Sequence, residues 1–402
     1  MSGYEAANAR LLALCDAAAS RGDALAPLRR AGREAFAASG LPDTRREEWR
    51  YTSLAPLATH DFALTSGAVA LGGQTPKGHQ IFSLRESPGG VPALGALIDL
   101  KQHPLAALAT ALLDDGIVIR SPANTAAEAP IELAFVAPAG ERATLSVPRI
   151  RIEAARDSRV AVVLDHTSAA ARGVHFTNSV IEIDVAANAH VELTLVQREN
   201  DDSFHASNTA VRIGRDARFT GRVITLGGRL VRNDLSVVLA EEGAECSLDG
   251  LYLGAGERLV DNHSLVDHAV PHGTSKQLYK GVLGGAARGV FRGRVIVRPG
   301  AQKTDAAQSN PNILLSDGAE IDTKPQLEIW ADDVKCSHGS SIGRLDENAL
   351  FYLRSRAIGE REARALLTRG FAAEIFARLP SDALRDSLSD EFARRVAEEA
   401  RP

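Results

Sequence analysis

The order of hydrophobic and polar residues divides the chain into three parts. At both ends, apolar residues recur every three or four positions, which is the spacing of one helical face. Between about Ile131 and Trp330, short runs alternate apolar with polar residues, which is typical of half-buried strands. Residues 59–120 are mixed and rich in Gly and Pro, with one helix predicted around Leu105–Leu113. The pattern predicts a β-rich centre between helical ends.

The N-terminal part carries two local signals. Residues 4–40 predict two short helices with a break near Pro27. Thr44 and Glu47 lie three residues apart, the spacing at which each side chain can cap the backbone N–H of the other. We therefore expect Thr44 to cap a short helix that runs through Trp49.

A recurring turn separates the strands of the central part. Each copy has a turn-forming residue, a small residue, a charged or polar residue and then a new strand. The first four copies are 31, 28 and 27 residues apart. This period suits a chain that coils once per repeat and stacks each coil on the last. The copies begin at Asp157, Asn188, Asp216, Gly243 and Gly318.

The coiling pattern favours a parallel β-helix over a β-sandwich. A sandwich with hairpins favours frequent Asn-Gly or Asp-Gly turns, and the candidates are Asp249-Gly250 and Asp317-Gly318. The aromatic content of 5% suits a narrow interior of stacked aliphatic side chains. We predict a mainly β protein: a right-handed parallel β-helix at 121–342, between an N-terminal helical and mixed domain at 1–120 and a C-terminal helical domain at 343–402. The terminal helices are expected to cover the open ends of the β-helix.

Composition limits the location and the partners. The 402 residues include 46 Lys and Arg against 51 Asp and Glu, a net charge of -5, so nothing favours a nucleic-acid partner. No run of about 20 apolar residues predicts a membrane span, and the N-terminus lacks a secretion signal. Cys15, Cys246 and Cys336 form no CxxC pair. We expect a cytoplasmic protein without membrane contact.

Two polar clusters are candidates for chemistry. Residues 261–272 hold His263, His268 and His272 together with two Asp. The cluster suggests a metal site, but Pro271 disfavours the helix that an i, i+4 His pair needs. The alternative is a strand and turn whose histidines hydrogen-bond locally.

The second cluster contains Cys336 and His338. Residues two apart face the same side of a strand, and the neighbouring Lys335 would favour a thiolate suited to metal or sulfur chemistry. The alternative is a turn with a buried thiol and a hydrogen-bonded imidazole. The sequence has no GxxxxGK[ST], HExxH or GxSxG motif, so we expect no nucleotide hydrolysis by this chain.

Residues 259–363 resemble the C-terminal part of the SufB/SufD family of iron–sulfur cluster assembly proteins. The resemblance rests on LVDHAVPHGTSKQLYKGVL, GAEIDTKPQLEIWADDVKCSHGSSIGRLDE and ALFYLRSRAIGEREA. Within the family, ADDVKCSHG followed by LDENALFYLRSR resembles the SufD branch, as does GLPDTRREEWRYTSL near the N-terminus.

The resemblance implies a non-catalytic subunit of a cytoplasmic SufBCD complex. Such a subunit pairs with SufB through the β-helix and holds the SufC ATPase on its C-terminal helices, so that ATP turnover belongs to SufC. It implies no tightly bound cofactor, but a transient iron–sulfur cluster shared with SufB. His338 matches the histidine of the cluster-assembly interface and is a candidate transient metal ligand, with Cys336 beside it. Residues matching the start of the SufC-binding region are Phe351, Tyr352, Arg354 and Arg356.

One departure implies that the chain needs its partner. Close to Asn310, SufB carries its scaffold cysteine, which this chain lacks. Two other hypotheses stay open at this point: a β-helix carbohydrate-active enzyme with a carboxylate-lined groove, and a homomeric binding protein. Isolated chains could also form a homodimer through the edge strands that would meet SufB.

Overall fold

The chain is mainly β with helices near both ends, as predicted. This computed structural model describes residues 3–66, 68–72, 75–86, 94–138, 140 and 142–399. Single-turn 3-10 segments lie at Glu47–Trp49 and Leu84–Glu86. The α-helices of the described residues are α1 (Gly3–Ala19), α2 (Ala26–Ser39), α3 (Ala55–Ala58), α4 (Pro104–Ala111), α5 (Glu347–Ser355), α6 (Glu360–Phe376) and α7 (Asp382–Glu399). None of these helices is both long enough and apolar enough to span a membrane.

The strands of the described residues follow one another through the centre of the chain. They are β1 (Ala63–Leu64), β2 (Ala68–Gly72), β3 (Gln80–Ser83), β4 (Ile117–Ser121), β5 (Ile131–Ala137), β6 (Thr144–Ser146), β7 (Arg149–Ala154), β8 (Arg159–Ser168), β9 (His175–Val185), β10 (His190–Gln197), β11 (Phe204–Ile213), β12 (Arg218–Thr225), β13 (Leu230–Leu239), β14 (Glu245–Gly254), β15 (Leu259–His268), β16 (Thr274–Leu283), β17 (Arg288–Val297), β18 (Asp305–Leu314), β19 (Glu320–Ile329) and β20 (Lys335–Gly343).

From β7 onward, successive strands alternate between two parallel sheets. The first sheet has the order β19-β17-β15-β13-β11-β9-β7-β4-β3, and the second has the order β2-β5-β8-β10-β12-β14-β16-β18-β20. Each strand therefore pairs with the strand two positions later in the chain, one coil further on. Within the described residues this gives a β-helix of about eight coils, and the predicted fold class is confirmed. The predicted domain borders remain a prediction.

The recurring turn forms one edge of the β-helix. Asp157, Asn188, Asp216 and Gly243 all have positive φ, between 53° and 74°, directly before a strand of the second sheet. Asp, Asn and Gly tolerate this left-handed conformation better than other residues, which explains the turn chemistry of the repeat. The fifth predicted copy, at Gly318, belongs elsewhere, because it precedes β19 of the first sheet.

Stacked aliphatic side chains fill most of the interior between the two sheets. In β8 and β10, Val162 pairs in register with Leu193, and Leu164 pairs with Leu195, and all four are buried. Each such side chain contributes roughly 1.5–3 kcal/mol when it is removed from water. These aliphatic positions of the middle coils are therefore dry and supply much of the stability, whereas the next interior positions of β8 and β10 hold the buried polar residues His166 and Gln197.

The helices pack on the outer faces of the sheets, so the expected covering of the open ends is wrong. Phe376 of α6 and Phe392 of α7 are buried with Ile224 and Leu251 of the second sheet. The N-terminal helices pack against the first sheet, where Phe204 is buried. A helix with an apolar stripe buries more surface on a broad sheet face than on a single strand edge, which explains this placement.

The predicted helix cap at Thr44 is also wrong. The 3-10 segment at Glu47–Trp49 begins after Arg46 and has no side-chain cap. Instead, the Asp43 carboxylate accepts a hydrogen bond from the backbone N–H of Arg45 at 3.0 Å. Such a short-range turn competes with a capping box. By contrast, α1 and α2 correspond to the two predicted N-terminal helices, and Pro27 lies in the first turn of α2.

Candidate functional site at the open end of the β-helix

The last coil of the β-helix lies open. In the part of the chain that the structure describes, β19 pairs only with β17, and β20 pairs only with β18. Nearly every residue of β20 is exposed. Large apolar side chains are exposed here as well, with exposed fractions of 55% for Trp330, 52% for Ile342 and 39% for Ile329. The open end thus combines two unpaired strand edges with apolar surface.

Cys336 and His338 lie together on β20, and their side chains follow the interior direction of the β-helix. In register, Cys336 pairs with Ala306 and His338 pairs with Gln308. Ala306 and Gln308 are buried interior residues of β18, and register partners on parallel strands face the same side of a sheet. The two side chains therefore occupy interior positions in a coil that nothing in the described residues covers. The segment with Cys336 and His338 is therefore a strand, and not the turn that the alternative interpretation of the sequence proposed.

The Cys336 thiol is not activated in this chain alone. Partial burial raises its pKa, and the charge of Asp305 acts in the same direction. Lys335 precedes Cys336 on the same strand, so its side chain faces the opposite side of the sheet. The expectation that Lys335 favours a thiolate is therefore wrong in this geometry.

A buried network of amide side chains supports the open end. Asn310 donates to the backbone carbonyl of Tyr279 at 2.9 Å and to the Tyr252 hydroxyl at 3.3 Å. Its Oδ1 accepts a hydrogen bond from Thr323 of β19 at 2.8 Å. Asn312 donates to the backbone carbonyl of Ser341 in β20 at 3.3 Å. The network ties both edge strands to β18.

The sequence reasoning missed this network, although its signal was present. Residues 308, 310 and 312 of β18 are Gln, Asn and Asn at every second position. Three amides at the interior positions of one strand are unusual, because a buried amide must find hydrogen-bond partners. The alternation therefore indicates a polar interior at this coil.

The three histidines of the other predicted cluster do not meet. His263 faces outward, where its Nε2 lies 2.9 Å from Asp261. The His268 ring is buried and its Nε2 lies 2.8 Å from the Ser275 hydroxyl, and burial lowers the pKa of His268 to about 4. His272 adopts a left-handed turn conformation with a φ of 62°. No group of three or more His, Cys, Asp or Glu among the described residues is arranged to hold a metal ion.

The four residues that the family resemblance linked to SufC binding lie on or beside α5. Phe351 and Tyr352 are 75% and 57% exposed. The Arg356 guanidinium lies 5.3 Å from the centroid of the Tyr352 ring, and Arg354 lies 3.5 Å from Glu360. The buried Leu350 anchors the opposite side of α5. The helix therefore presents aromatic and cationic groups that the fold itself does not bury.

A second feature that the sequence analysis missed is the way residues 44–54 cross the outer face of the first sheet. We call these residues the strap. The ring of Trp49 lies 3.9 Å from the Arg232 guanidinium, and the Thr52 hydroxyl donates to Asp261 at 2.5 Å. Glu47 reaches the edge strand, where it lies 2.8 Å from Lys324 of β19.

The strap explains a like-charge contact near the open end. Arg292 of β17 and Lys324 of β19 are register partners, which is unfavourable for two cations. Glu47 lies 3.4 Å from Arg292 as well as close to Lys324, and the hydrogen bond and charge of Lys324, together with the charge of Arg292, lower the pKa of Glu47. The acidic residue of the strap therefore helps to hold β19 in place.

Comparisons with known proteins agree with the family resemblance. A family model described as "SUF system FeS cluster assembly, SufBD core domain" matches residues 135–371, from β5 into α6. An iron-sulfur cluster assembly SufBD family protein of Synechocystis sp. is 32% identical over 391 residues, which cover 87% of this chain and 86% of that protein.

Two relatives named iron-sulfur cluster assembly protein SufD are also similar. The protein from Escherichia coli is 30% identical over 392 residues, covering 90% of this chain and 91% of the relative. The protein from Bacillus subtilis is 26% identical over 300 residues, covering 74% of this chain and 68% of the relative. The chain therefore belongs to the SufBD family of iron–sulfur cluster assembly proteins and is SufD-like.

Proposed function

We propose that this chain is the SufD-type scaffold subunit of a cytoplasmic SufBCD complex and that its open end pairs with SufB. The observation that carries the proposal is the uncovered last coil, in which Cys336 and His338 occupy interior positions. Unpaired strand edges invite pairing with another chain, and natural proteins normally cover or blunt them. A second β-helix that docks at β19 and β20 would seal both edges.

Docking would place the chemistry of the site at the boundary between two chains. A neutral imidazole is a good ligand for iron, and thiolates are the usual ligands of iron–sulfur clusters. We assign His338 as a transient metal ligand and Cys336 as its neighbour at the cluster-assembly interface. Two side chains on one strand are too few to hold a cluster, so SufB would supply the remaining ligands. The cluster is cargo shared with SufB rather than a tightly bound cofactor.

The C-terminal helices would carry the SufC ATPase, and this chain itself would be non-catalytic. Support comes from Phe351 and Tyr352, because exposed aromatic side chains next to Arg are frequent at protein interfaces. The proposed contact also includes Arg354 and Arg356. On this proposal, residues 343–402 form the ATPase-binding domain and residues 121–342 form the SufB-binding core. A chain isolated from SufB would form a homodimer through the same open end.

The test is co-expression with SufB and SufC, followed by anaerobic reconstitution and absorbance of the cluster. We expect a stable ternary complex in which His338→Ala lowers cluster formation at least fivefold without loss of SufB or SufC. A His338→Ala complex that forms clusters at the wild-type rate would contradict the assigned role. Failure of the wild-type chain to bind SufB would contradict the scaffold proposal.

The ATPase contact needs point variants, because deleting α6 and α7 would uncover the second sheet. The double variant Phe351→Ser and Tyr352→Ser removes exposed groups only. We expect it to lose SufC and to retain SufB, with an unchanged melting temperature. The matched control is the double variant Val69→Ser and Leu71→Ser, since both are exposed apolar residues of β2, outside the proposed ATPase-binding domain. Retention of SufC by the double variant would exclude this contact. The family membership gives no support to the alternative hypothesis of a β-helix carbohydrate-active enzyme.

A further inference from the structure

A row of buried, hydrogen-bonded polar side chains runs from the interior of the β-helix toward the position of His338. Ser264 of β15 donates its hydroxyl to Oε1 of Gln277 in β16 at 2.7 Å. The same Oε1 accepts a hydrogen bond from Nε2 of Gln308 in β18 at 3.2 Å. All three residues are at least 95% buried. The next residue in register after Gln308 is His338 of β20.

The last side chain of this row, Gln308, has a hydrogen-bond acceptor without a donor. Oε1 of Gln308 is buried and has no hydrogen-bond partner. A buried amide oxygen without a partner costs roughly 1–3 kcal/mol, so natural structures rarely retain one without a reason. Because Nε2 of Gln308 is held by Gln277, the free end of the amide is its oxygen. Neighbouring strands lie about 4.8 Å apart, a distance that a histidine side chain at the register-partner position spans in a suitable rotamer.

The fold also makes room for the Gln308 amide. A Cβ at Gly293 of β17 would lie only 1.9 Å from Nε2 of Gln308. Any other residue at position 293 would therefore push the amide away from Gln277. The absence of a side chain here is what allows a long polar side chain to lie across the interior at this coil.

We propose that Gln308 is a positioning residue for His338: its Oε1 accepts a hydrogen bond from Nδ1–H of the His338 ring and leaves Nε2 unprotonated toward the open end. The hydrogen bond of one ring nitrogen sets which nitrogen is available to a metal, and such supporting contacts commonly orient metal-binding histidines. Nδ1 is the nitrogen nearer to the backbone and hence to the neighbouring strand. The free Nε2 suits a divalent cation such as ferrous iron. The use of this nitrogen rests on the function proposed above, whereas the hydrogen bond itself does not.

The decisive experiment reads the tautomer of His338 by nitrogen NMR of the full chain, labelled at histidine ring nitrogens and measured at alkaline pH. The His338 signals are identified by their loss in His338→Ala. We expect the Nδ1-protonated tautomer to predominate in the wild type and its population to fall at least twofold in Gln308→Met. Gly293→Ala, which displaces the amide without removing it, should change the tautomer in the same direction.

The matched control is Gln197→Met, the same substitution at a buried glutamine of β10, four strands from β18 in the second sheet. It reports the general cost of losing a buried amide and should leave the His338 tautomer unchanged. An unchanged tautomer in Gln308→Met, or an equal change in Gln197→Met, would overturn the proposal.

Cluster formation in the assembled complex separates this proposal from the proposed function. We expect Gln308→Met to slow cluster formation at least threefold, while Gln197→Met complexes of equal stability do not. If His338→Ala has no effect on cluster formation but Gln308→Met shifts the tautomer, the proposed role of His338 fails and the hydrogen bond stands. If His338→Ala slows cluster formation and Gln308→Met changes neither readout, the positioning role fails and the function stands.

Discussion

The interior of the β-helix differs between its middle coils and its last coils. In β8 and β10, most interior positions are occupied by Val and Leu that pair with each other in register, and the buried polar pair His166 and Gln197 lies near the ends of the two strands. In β16 and β18, the corresponding positions carry Gln277, Tyr279, Gln308, Asn310 and Asn312, and all of them are buried. The same backbone repeat therefore encloses a dry aliphatic core at one place and a hydrogen-bonded amide core at another.

The difference explains how the chain keeps one end open. An aliphatic last coil would present a continuous apolar surface, which favours aggregation. Amide side chains instead bond to the edge strands, as Asn310 does to Thr323 and Asn312 does to Ser341. They hold β19 and β20 in place without requiring a cover, and their polar groups lead to His338. The middle coils supply stability, and the last coils supply a defined, partly polar surface, which is the docking surface that we propose.

The largest effect is expected when an amide is placed in an aliphatic coil. Leu193→Gln removes a buried aliphatic side chain and leaves an amide without partners in a dry interior. We expect a loss of about 3–5 kcal/mol in the free energy of unfolding, measured by urea denaturation. Leu193→Met is the control and should cost less than about 1.5 kcal/mol. Equal stability of the Gln variant and the wild type would show that the middle coils tolerate polarity.

The reverse change, an apolar residue in an amide coil, should cost less and act locally. Asn310→Leu keeps the branched shape of the side chain but leaves the Thr323 hydroxyl without its acceptor and the Tyr279 carbonyl without this donor. The Tyr252 hydroxyl still donates to Asn312. We expect a loss of about 2–3 kcal/mol and faster amide hydrogen exchange in β19, with β10 unchanged. A more stable variant with unaltered exchange would mean that the amide network does not hold the edge strand.

The last coils are also polar on the outside, which predicts a pH dependence. Burial alone would raise the pKa of Asp261, but the charges of His263 and Arg232 and the hydrogen bonds from His263 and Thr52 lower it to about 2. Because the folded-state pKa lies below the unfolded value of about 3.9, this stabilisation is complete above pH 4 and is lost as the pH falls toward 2.

The difference between the folded and unfolded pKa values of Asp261 corresponds to about 2 kcal/mol in unfolding free energy between pH 4 and pH 2. The Asp261→Asn variant is already destabilised near neutral pH, because Arg232 loses a partner, but it should lack this acidic decline. Unfolding curves at several pH values between 2 and 5 provide the measurement. An identical acid decline in the variant would assign the pH dependence to other carboxylates.

The smallest effect on stability is expected at His338. Its side chain is exposed at the open end, where water can replace it as the partner of Gln308, so His338→Ala should change the free energy of unfolding by no more than about 1 kcal/mol. The same substitution should strongly reduce cluster formation in the complex. Comparison of the two readouts separates a chemical role from a structural one, and a large stability loss would favour the structural role.

The sequence predicted the β-helix because its repeat is local. The turns at Asp157, Asn188 and Asp216 need a residue that accepts a left-handed conformation, and this need recurs with the coil. The aliphatic alternation of the strands added the second signal. The strap escaped prediction because its partners, such as Arg232 and Lys324, lie far away in the chain, and no local pattern reveals which sheet face a segment crosses.

The site was predictable only in part. Because Cys336 and His338 are two residues apart, they were expected on one face of a strand, and on β20 they do lie on the same face. Their exposure at an open end depends on where the helices pack, which is a competition between tertiary surfaces rather than a local preference. The raised pKa of Cys336 likewise follows from its burial against the neighbouring strand and, to a lesser degree, from the charge of Asp305 there.

The most direct test of the account is hydrogen exchange of the full chain, measured alone and in complex with SufB. If the open end is the docking surface, protection should increase in Glu320–Ile329 and Lys335–Gly343, while His190–Gln197 in the middle coils serves as an unchanged reference. Protection that appears elsewhere, with none in these two edge strands, would contradict the central claim that the last coil is left open for a partner.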